Sequence, residues 1–215
     1  MKIGVIGTGV VGNALGTKLA QLGHEVKMGA RVAGNEKAVA WAKAAGPKAS
    51  QGTFAEAAAF GELLLNCTGG ANSLAALQAA GARNMSGKIL IDASNPLDFS
   101  RGMPPSLTVT NTDSLGEQIQ RAFPETKVVK ALNTVANTVM INPGLLAGDH
   151  DLFICGNDAA AKAEVTEILK GWFGWKIVID VGDITSARAT EGVLPLWVRL
   201  YGKFQTPLFN FHIVH

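Results

Sequence analysis

Six residues near the N-terminus, Gly7-Thr8-Gly9-Val10-Val11-Gly12, have the spacing of a turn that holds phosphate. The first glycine permits a tight turn. The second lets a pyrophosphate approach the backbone, and the third lets the following helix pack closely on the strand before it. A helix opening here presents free N–H groups and a partial positive charge to the phosphates. Lys2 to Ile6 is an apolar run that reads as a buried parallel strand, and Asn13 to Ala20 reads as a helix. The turn therefore stands in the strand–turn–helix context that this chemistry needs.

The next chemistry-bearing residues follow a second strand, His24 to Gly29. An acid at the end of that strand would hold the ribose 2′-hydroxyl of NAD. Gly29-Ala30-Arg31 stands there instead, with Asn35 and Lys37 close behind. No carboxylate opposes a phosphate, and Arg31 offers a 2′-phosphate a charge-assisted bond worth about 1.5–3 kcal/mol. The cofactor read from these residues is NADP(H), not NAD. Lys37 carries less of this reading, because Asn35-Glu36-Lys37-Ala38 also opens a helix with Asn35 as its cap.

Three further segments fall at the carboxyl ends of predicted strands, where ligands bind in an open α/β sheet. Cys67, Thr68 and Gly69 lead into a loop, Thr68 to Asn72, expected over the cofactor. Asn95 has an amide for a ribose or a carboxamide, and Pro96 fixes the turn beside it. The loop Ala131 to Asn137, with Asn133 and Ala136, is expected beside the nicotinamide. No Ser–His–Asp arrangement and no clustered His and Cys for zinc are seen, so no metal is expected. Hydride transfer fits this inventory. It needs two carbons held roughly 3–3.5 Å apart, and the cofactors carry the hard step. His24 and His150 are both read as loop residues.

The elements that must position these groups alternate along the chain. Helices are expected over Glu36 to Ala45, Ser73 to Ala82, Ser114 to Phe123 and Asp158 to Trp172. Thr53-Phe54-Ala55-Glu56 is a capping box that starts another. Strands are expected at Lys48 to Ser50, Glu62 to Cys67, Lys88 to Asp92, Lys127 to Lys130, Asp151 to Gly156 and Lys176 to Val181. Asp183 to Gln205 reads as mostly helical. This alternation predicts an α/β fold, a Rossmann-type doubly wound and mostly parallel sheet. Residues 1–180 would form the NADP-binding domain. Residues 181–215 would form a small helical C-terminal part.

The bulk numbers agree with that picture. The 215 residues suit one large domain, or a dinucleotide-binding domain with a modest appendage. The net charge of +2 asks for neither nucleic acid nor an anionic membrane as partner. Cys67 and Cys155 each end an apolar run and read as reduced, buried residues of a cytoplasmic protein. The N-terminal apolar run is too glycine-rich for a signal peptide, and no stretch is long and apolar enough to span a membrane.

With the glycine turn, Gly29-Ala30-Arg31, Asn95-Pro96-Leu97, Lys130-Ala131-Leu132-Asn133-Thr134 and the closing Pro207-Leu208-Phe209-Asn210-Phe211 in order, the chain resembles the NADPH-dependent reductases of coenzyme F420, a deazaflavin. The cytoplasmic domains of transmembrane metalloreductases look similar too. The resemblance implies NADP along the glycine turn, with Thr8, Gly9, Val10, Val11, Ala30 and Arg31 at the positions of the family's contacts. It implies a second ring system over the nicotinamide, in a cleft closed by the C-terminal part, and it makes Asn133 the one candidate for a catalytic side chain by placing it where other members carry His or Asn near the hydride path. The implied reaction is hydride transfer between NADPH and coenzyme F420. The alternatives are NADPH-dependent reduction of a flavin, a ferric chelate or a small carbonyl or imine compound, and an NADP-binding module without chemistry. The resemblance also points to a homodimer, and Trp197, Leu200, Tyr201 and Phe204 share the helix face that would take part.

Overall fold

The computed structural model describes residues 1–214. The N-terminal half alternates strand and helix. β1 (Lys2–Ile6), α1 (Val10–Gln21), β2 (Glu25–Ala30), α2 (Glu36–Ala45) and β3 (Ala49–Thr53) come first. α3 (Phe54–Phe60), β4 (Leu63–Asn66), α4 (Gly70–Ala80), α5 (Ala82–Met85) and β5 (Ile89–Asp92) follow. A two-stranded ribbon, β6 (Leu97–Asp98) with β7 (Ser106–Leu107), then interrupts the alternation. The second half holds α6 (Leu115–Ala122), β8 (Lys127–Ala131), α7 (Asn137–Ile141), β9 (Asp151–Gly156), α8 (Ala159–Ile168) and β10 (Ile177–Asp180). α9 (Ala187–Gly192) and α10 (Leu194–Phe204) complete it.

Eight strands form one sheet in the order β10-β9-β8-β5-β4-β1-β2-β3. Every neighbouring pair is parallel except β8 with β9, so the sheet is mostly parallel and doubly wound, as expected. The strand order reverses between β1 and β4, and a crevice opens outside their carboxyl ends.

The apolar runs are continuous because both sheet faces are covered. Ile3, Val5, Leu63, Leu65, Ile89, Ile91 and Val129 enter one core with α1, α2, α7 and α8. Ile6, Leu64, Leu90 and Val128, one residue out of phase, enter the other with α3, α4, α6 and α9.

Local departures from the expected elements have local causes. The loop expected over Thr68 to Asn72 is shorter, because α4 already opens at Gly70 with Gly69 as its cap. Glycine there allows close approach: a Cβ on Gly70 would lie 2.0 Å from the Asn95 carbonyl oxygen. The helix expected to run to Trp172 leaves α geometry at Leu169 and ends in a π turn over Leu169–Phe173, closed by Gly174 in the left-handed region. That turn carries Trp172 onto His24, with ring centroids 4.2 Å apart. His24 is thus half-buried against an indole, not solvated. Burial, then the N-terminus, then Lys48 lower its pKa from the usual imidazole value.

The C-terminal part folds back on the sheet. In α10 only Leu194 is buried. Beyond it the chain runs extended, and the Asp151 N–H donates to the Phe211 carbonyl (2.9 Å). The buried Asp151 carboxylate accepts from the Ile213 N–H (2.6 Å) and lies 3.1 Å from His212 Nδ1. The tail also explains His150, which is not a free loop residue. Its ring lies edge-on to Trp175, with Nε2 3.1 Å from the Pro143 carbonyl and Nδ1 3.0 Å from Asn210 Nδ2.

Candidate functional site

The glycine turn joins β1 to α1, and the backbone assigns each glycine a separate task. Gly7 has φ +120°, a conformation that L side chains rarely adopt. Gly12 faces the turn itself: a Cβ there would sit 2.3 Å from the Gly7 carbonyl oxygen. Gly9 is different. Its φ of −78° and ψ of −177° suit any residue, and a Cβ there would meet nothing within 4 Å. The fold does not require glycine at position 9, and the space above it is what an approaching phosphate needs. Gly9 also caps α1, whose first turn has no acidic residue and no side chain bonded to its free N–H groups. The turn therefore fits a pyrophosphate. Gly69, which caps α4, leaves a second helix start without a side-chain cap and likewise has open space at its Cβ position.

Two depressions meet at this turn. One, of about 450 Å³, runs from Gly7, Thr8 and Gly9 past Cys67, Thr68 and Gly69 to Arg31 and Phe54. Arg31 is exposed at the end of β2 and makes no ion pair among the described residues. The other continues past Val10, Val11 and Asn72 to Ala93, Ser94, Asn95, Leu97 and Phe99. Together they form a trough whose ends lie on opposite sides of the switch point. One end offers a guanidinium beside an aromatic ring. The other offers amides, hydroxyls and an apolar rim.

Not every expected residue joins this trough. Asn35 is committed to capping α2, where its Oδ1 accepts from the Ala38 N–H at 3.3 Å. Lys37 opens onto a separate groove with Thr17, Trp41 and Asn137, which meets the trough only at Thr8, Gly9 and Val10. Ala30 is buried in the core beneath Arg31, and Pro96 is buried in the turn after β5. Cys67 is buried, and burial pushes its thiol pKa far up, so its part is to line the trough as a neutral group. Cys155 lies buried on β9, its thiol pushed up to about 12 by burial first of all.

Asn133 and Asn95 are held to each other. Asn133 Nδ2 donates to Asn95 Oδ1 (3.0 Å) and to the Thr190 carbonyl of α9 (3.0 Å), while Asn95 Nδ2 donates to the Asn133 carbonyl (2.7 Å). The Thr190 carbonyl fixes the orientation of the Asn133 amide, since a flipped amide would set two oxygens against each other. Both Asn133 amide hydrogens are thereby engaged, so the residue positions its neighbours. Asn133 Oδ1 and Thr134 Oγ1 are buried without a hydrogen-bond partner among the described residues. Ala136 is buried just before α7.

Sequence reasoning missed a polar row beneath the far end of the trough. Asn66 and Asp92 end β4 and β5, Lys130 stands one residue before the end of β8, and the three share a sheet face in register with one another. Asn66 Nδ2 donates to Asp92 Oδ1 (2.8 Å), and Lys130 Nζ lies 2.8 Å from Asp92 Oδ2 and 2.7 Å from Glu191 Oε1 of α9. Burial alone would lower the Lys130 pKa. The carboxylates of Asp92 and Glu191 outweigh it and hold the pKa above the usual lysine value. The available signal was a polar residue closing each of three apolar strand runs. Glu191 gave none, being one acid in a helical stretch.

Among the described residues, no group of three His, Cys, Asp or Glu side chains is placed to hold a metal ion, and no helix is long and apolar enough to cross a membrane.

Residues 2–96 match the family described as "NADP oxidoreductase coenzyme F420-dependent". A crystal structure of a proposed F420-dependent NADP reductase from Arthrobacter sp. FB24 is 53% identical, covers 100% of both chains and superposes with a TM-score of 0.94. The F420-dependent NADP reductase of Methanocaldococcus jannaschii is 31% identical over 126 residues, which are 57% of this chain and 54% of that protein. Metalloreductase STEAP3 of Rattus norvegicus is 30% identical over 200 residues, 91% of this chain. The chain spans only 38% of the rat protein's length.

Proposed function

The chain belongs to the family of coenzyme F420-dependent NADP oxidoreductases, and from that premise we propose that it transfers a hydride between NADP(H) and the deazaflavin coenzyme F420. One observation carries the cofactor half of this reading. The trough runs from a guanidinium at the end of β2 that makes no ion pair among the described residues, over the open backbone of Gly9, to the amide pair Asn95–Asn133. Arg31 would hold the 2′-phosphate and the α1 start with Gly9 the pyrophosphate. Thr68, Gly69 and Asn95 would border the nicotinamide end. The cofactor, when bound, supplies the hydride. The chain's own part is to orient the reacting ring, and the apolar rim of Leu97 and half-exposed Phe99 offers a surface on which a flat acceptor can lie.

The same reading includes a cytoplasmic homodimer whose C-terminal part, residues 181–215, closes the cleft over residues 1–180. His215 lies outside the described residues. Support comes from α10, where Leu196, Tyr201 and Phe204 are each more than two-fifths exposed, with Leu208 just beyond.

Anaerobic oxidation of NADPH against a panel of deazaflavin, flavin and ferric-chelate acceptors tests the function. Turnover with the deazaflavin well ahead of the others is expected. Preference for a flavin or ferric acceptor would move the reading toward the metalloreductase-like alternative. No turnover with any acceptor, carbonyl and imine compounds included, would leave an NADP-binding module.

A further inference from the structure

The buried ion cluster lies directly beneath the nicotinamide end of the trough, and its bonds reach the lining. Lys130 Nζ donates to the Ser94 carbonyl at 2.6 Å, in addition to its two carboxylate partners. Asp92 Oδ1 accepts from the Ser94 N–H (3.1 Å) and the Ser94 Oγ (2.6 Å). Ser94 is therefore held at its N–H, its hydroxyl and its carbonyl by two charged residues that are fully buried. Its neighbour Asn95 is held by Asn133, and Asn133 in turn by the carbonyl of Thr190, the residue before Glu191. Glu191 itself accepts from the Leu115 and Gly116 N–H groups at the start of α6 (2.8 and 2.9 Å).

A cluster built only for stability would be a poor choice. Replacing a buried ion pair by apolar groups of similar size is often neutral or stabilising, because desolvation of the charges offsets their attraction. What the charges supply here is a fixed backbone at two adjacent residues that face the trough. We propose that Lys130, clamped between Asp92 and Glu191, is a positioning residue that sets the Ser94–Asn95 backbone for the nicotinamide half of the cofactor, with α9 as its anchor. This rests on the NADP reading but not on the identity of the acceptor.

The test compares two ligands by calorimetry. Adenosine 2′,5′-bisphosphate occupies only the Arg31 end of the trough, whereas NADP⁺ spans both ends. The variant is the double substitution Lys130→Met with Glu191→Gln, which removes the ammonium and one carboxylate together and leaves the net buried charge of the cluster unchanged. NADP⁺ is expected to bind about tenfold more weakly, the loss of one to two hydrogen bonds, while the bisphosphate changes by less than about twofold. The single variant Glu191→Gln, which leaves Lys130 in place but less firmly held, should move the same ratio in the same direction by a smaller factor. Arg188→Leu, which loosens α9 from α6 through Glu117 alone, should lower Tm and leave the ratio unchanged. Equal losses for both ligands, or an unchanged ratio in the double variant, would overturn the positioning role. A wild-type chain that binds neither ligand would overturn the NADP reading, and the positioning role with it.

Discussion

Asn133 and Asn95 exchange hydrogen bonds across 38 residues of sequence, each amide donating to the other residue, and the second Asn133 hydrogen reaches the Thr190 carbonyl. Asn133→Ala leaves Asn95 Oδ1 and the Thr190 carbonyl without their donor. A stability loss of about 1–3 kcal/mol is expected from such orphaned groups, read by urea unfolding. Hydride transfer should slow by more than NADPH binding weakens. Unchanged stability would mean that the pair is not formed in solution.

Arg31 faces its depression with no competing acid. Arg31→Ala should weaken NADPH by roughly tenfold to a hundredfold and leave NADH almost unchanged. Fluorescence titration with both cofactors checks this, and equal losses would count against a 2′-phosphate contact.

The glycine turn makes a paired prediction. Gly9→Val puts a branched side chain into open space at a φ that valine accepts, so the protein should keep its Tm and lose both cofactors. Gly12→Val should instead lower Tm, since its Cβ alone would stand 2.3 Å from a backbone oxygen. Normal NADPH binding by the first variant would remove the turn as the phosphate site.

Acid should loosen the join between α6 and α9. Glu117 accepts from Arg188 Nε at 2.8 Å and from Ser114 Oγ at 2.7 Å. Its carboxyl is held below the usual range by Arg188 first, against burial, with Ser114 assisting. A carboxyl with a depressed folded-state pKa contributes stability that is fully present above its unfolded value and is lost as pH falls through the folded value. Because the Arg188 side chain is 40% exposed, solvent screens the pair and the contribution is small. Stability should therefore fall as pH drops through and below the ordinary carboxylate range, and less steeply in Arg188→Leu. Parallel pH profiles for the two proteins would show that this pair does not carry the effect.

The aromatic end of the chain predicts assembly. Trp197 stacks on Tyr201 with centroids 5.8 Å apart, Phe209 packs on both Trp197 and Phe204, and Tyr201 and Phe204 stay exposed. Light scattering should give a dimer mass at micromolar concentration, and Phe204→Glu should reduce it to that of a monomer while NADPH binding persists. A monomeric, fully active wild type would end the homodimer reading.

How much of this was legible beforehand depended on whether the signal was local. The glycine turn, the capping box at Thr53 and Glu56 and the missing acid before Arg31 are written in consecutive residues, and each stands where expected. The ribbon from Leu97 to Leu107 was not legible, because its strands are two residues each and carry no alternation. Lys130 could be read as a strand residue but not as the partner of Glu191, since 61 positions separate them and only the packing of α9 on the sheet brings them together. His150 stands in the loop before β9 as read, but its partners Asn210 and Trp175 were not legible for the same reason.

The reach of Glu191 back to Lys130 and to the start of α6 also bears on the order in which the molecule is made. Synthesis proceeds from the N-terminus, and the early part of a chain settles before distant partners exist. The phosphate turn, Arg31 and the strands that carry them lie within the first hundred residues and satisfy one another. The opposite wall of the trough must wait for residues 190 and 191, and the latch on Asp151 waits for Phe211 and Ile213. A nascent chain therefore completes the wall carried by β1, β2 and β4 before residues 190 and 191 can tie down the opposite one. Pulse-labelled hydrogen exchange during refolding should show the amides of β1, β2 and β4 protected ahead of those of Ser94 and Leu115; simultaneous protection would mean the two halves form as one unit.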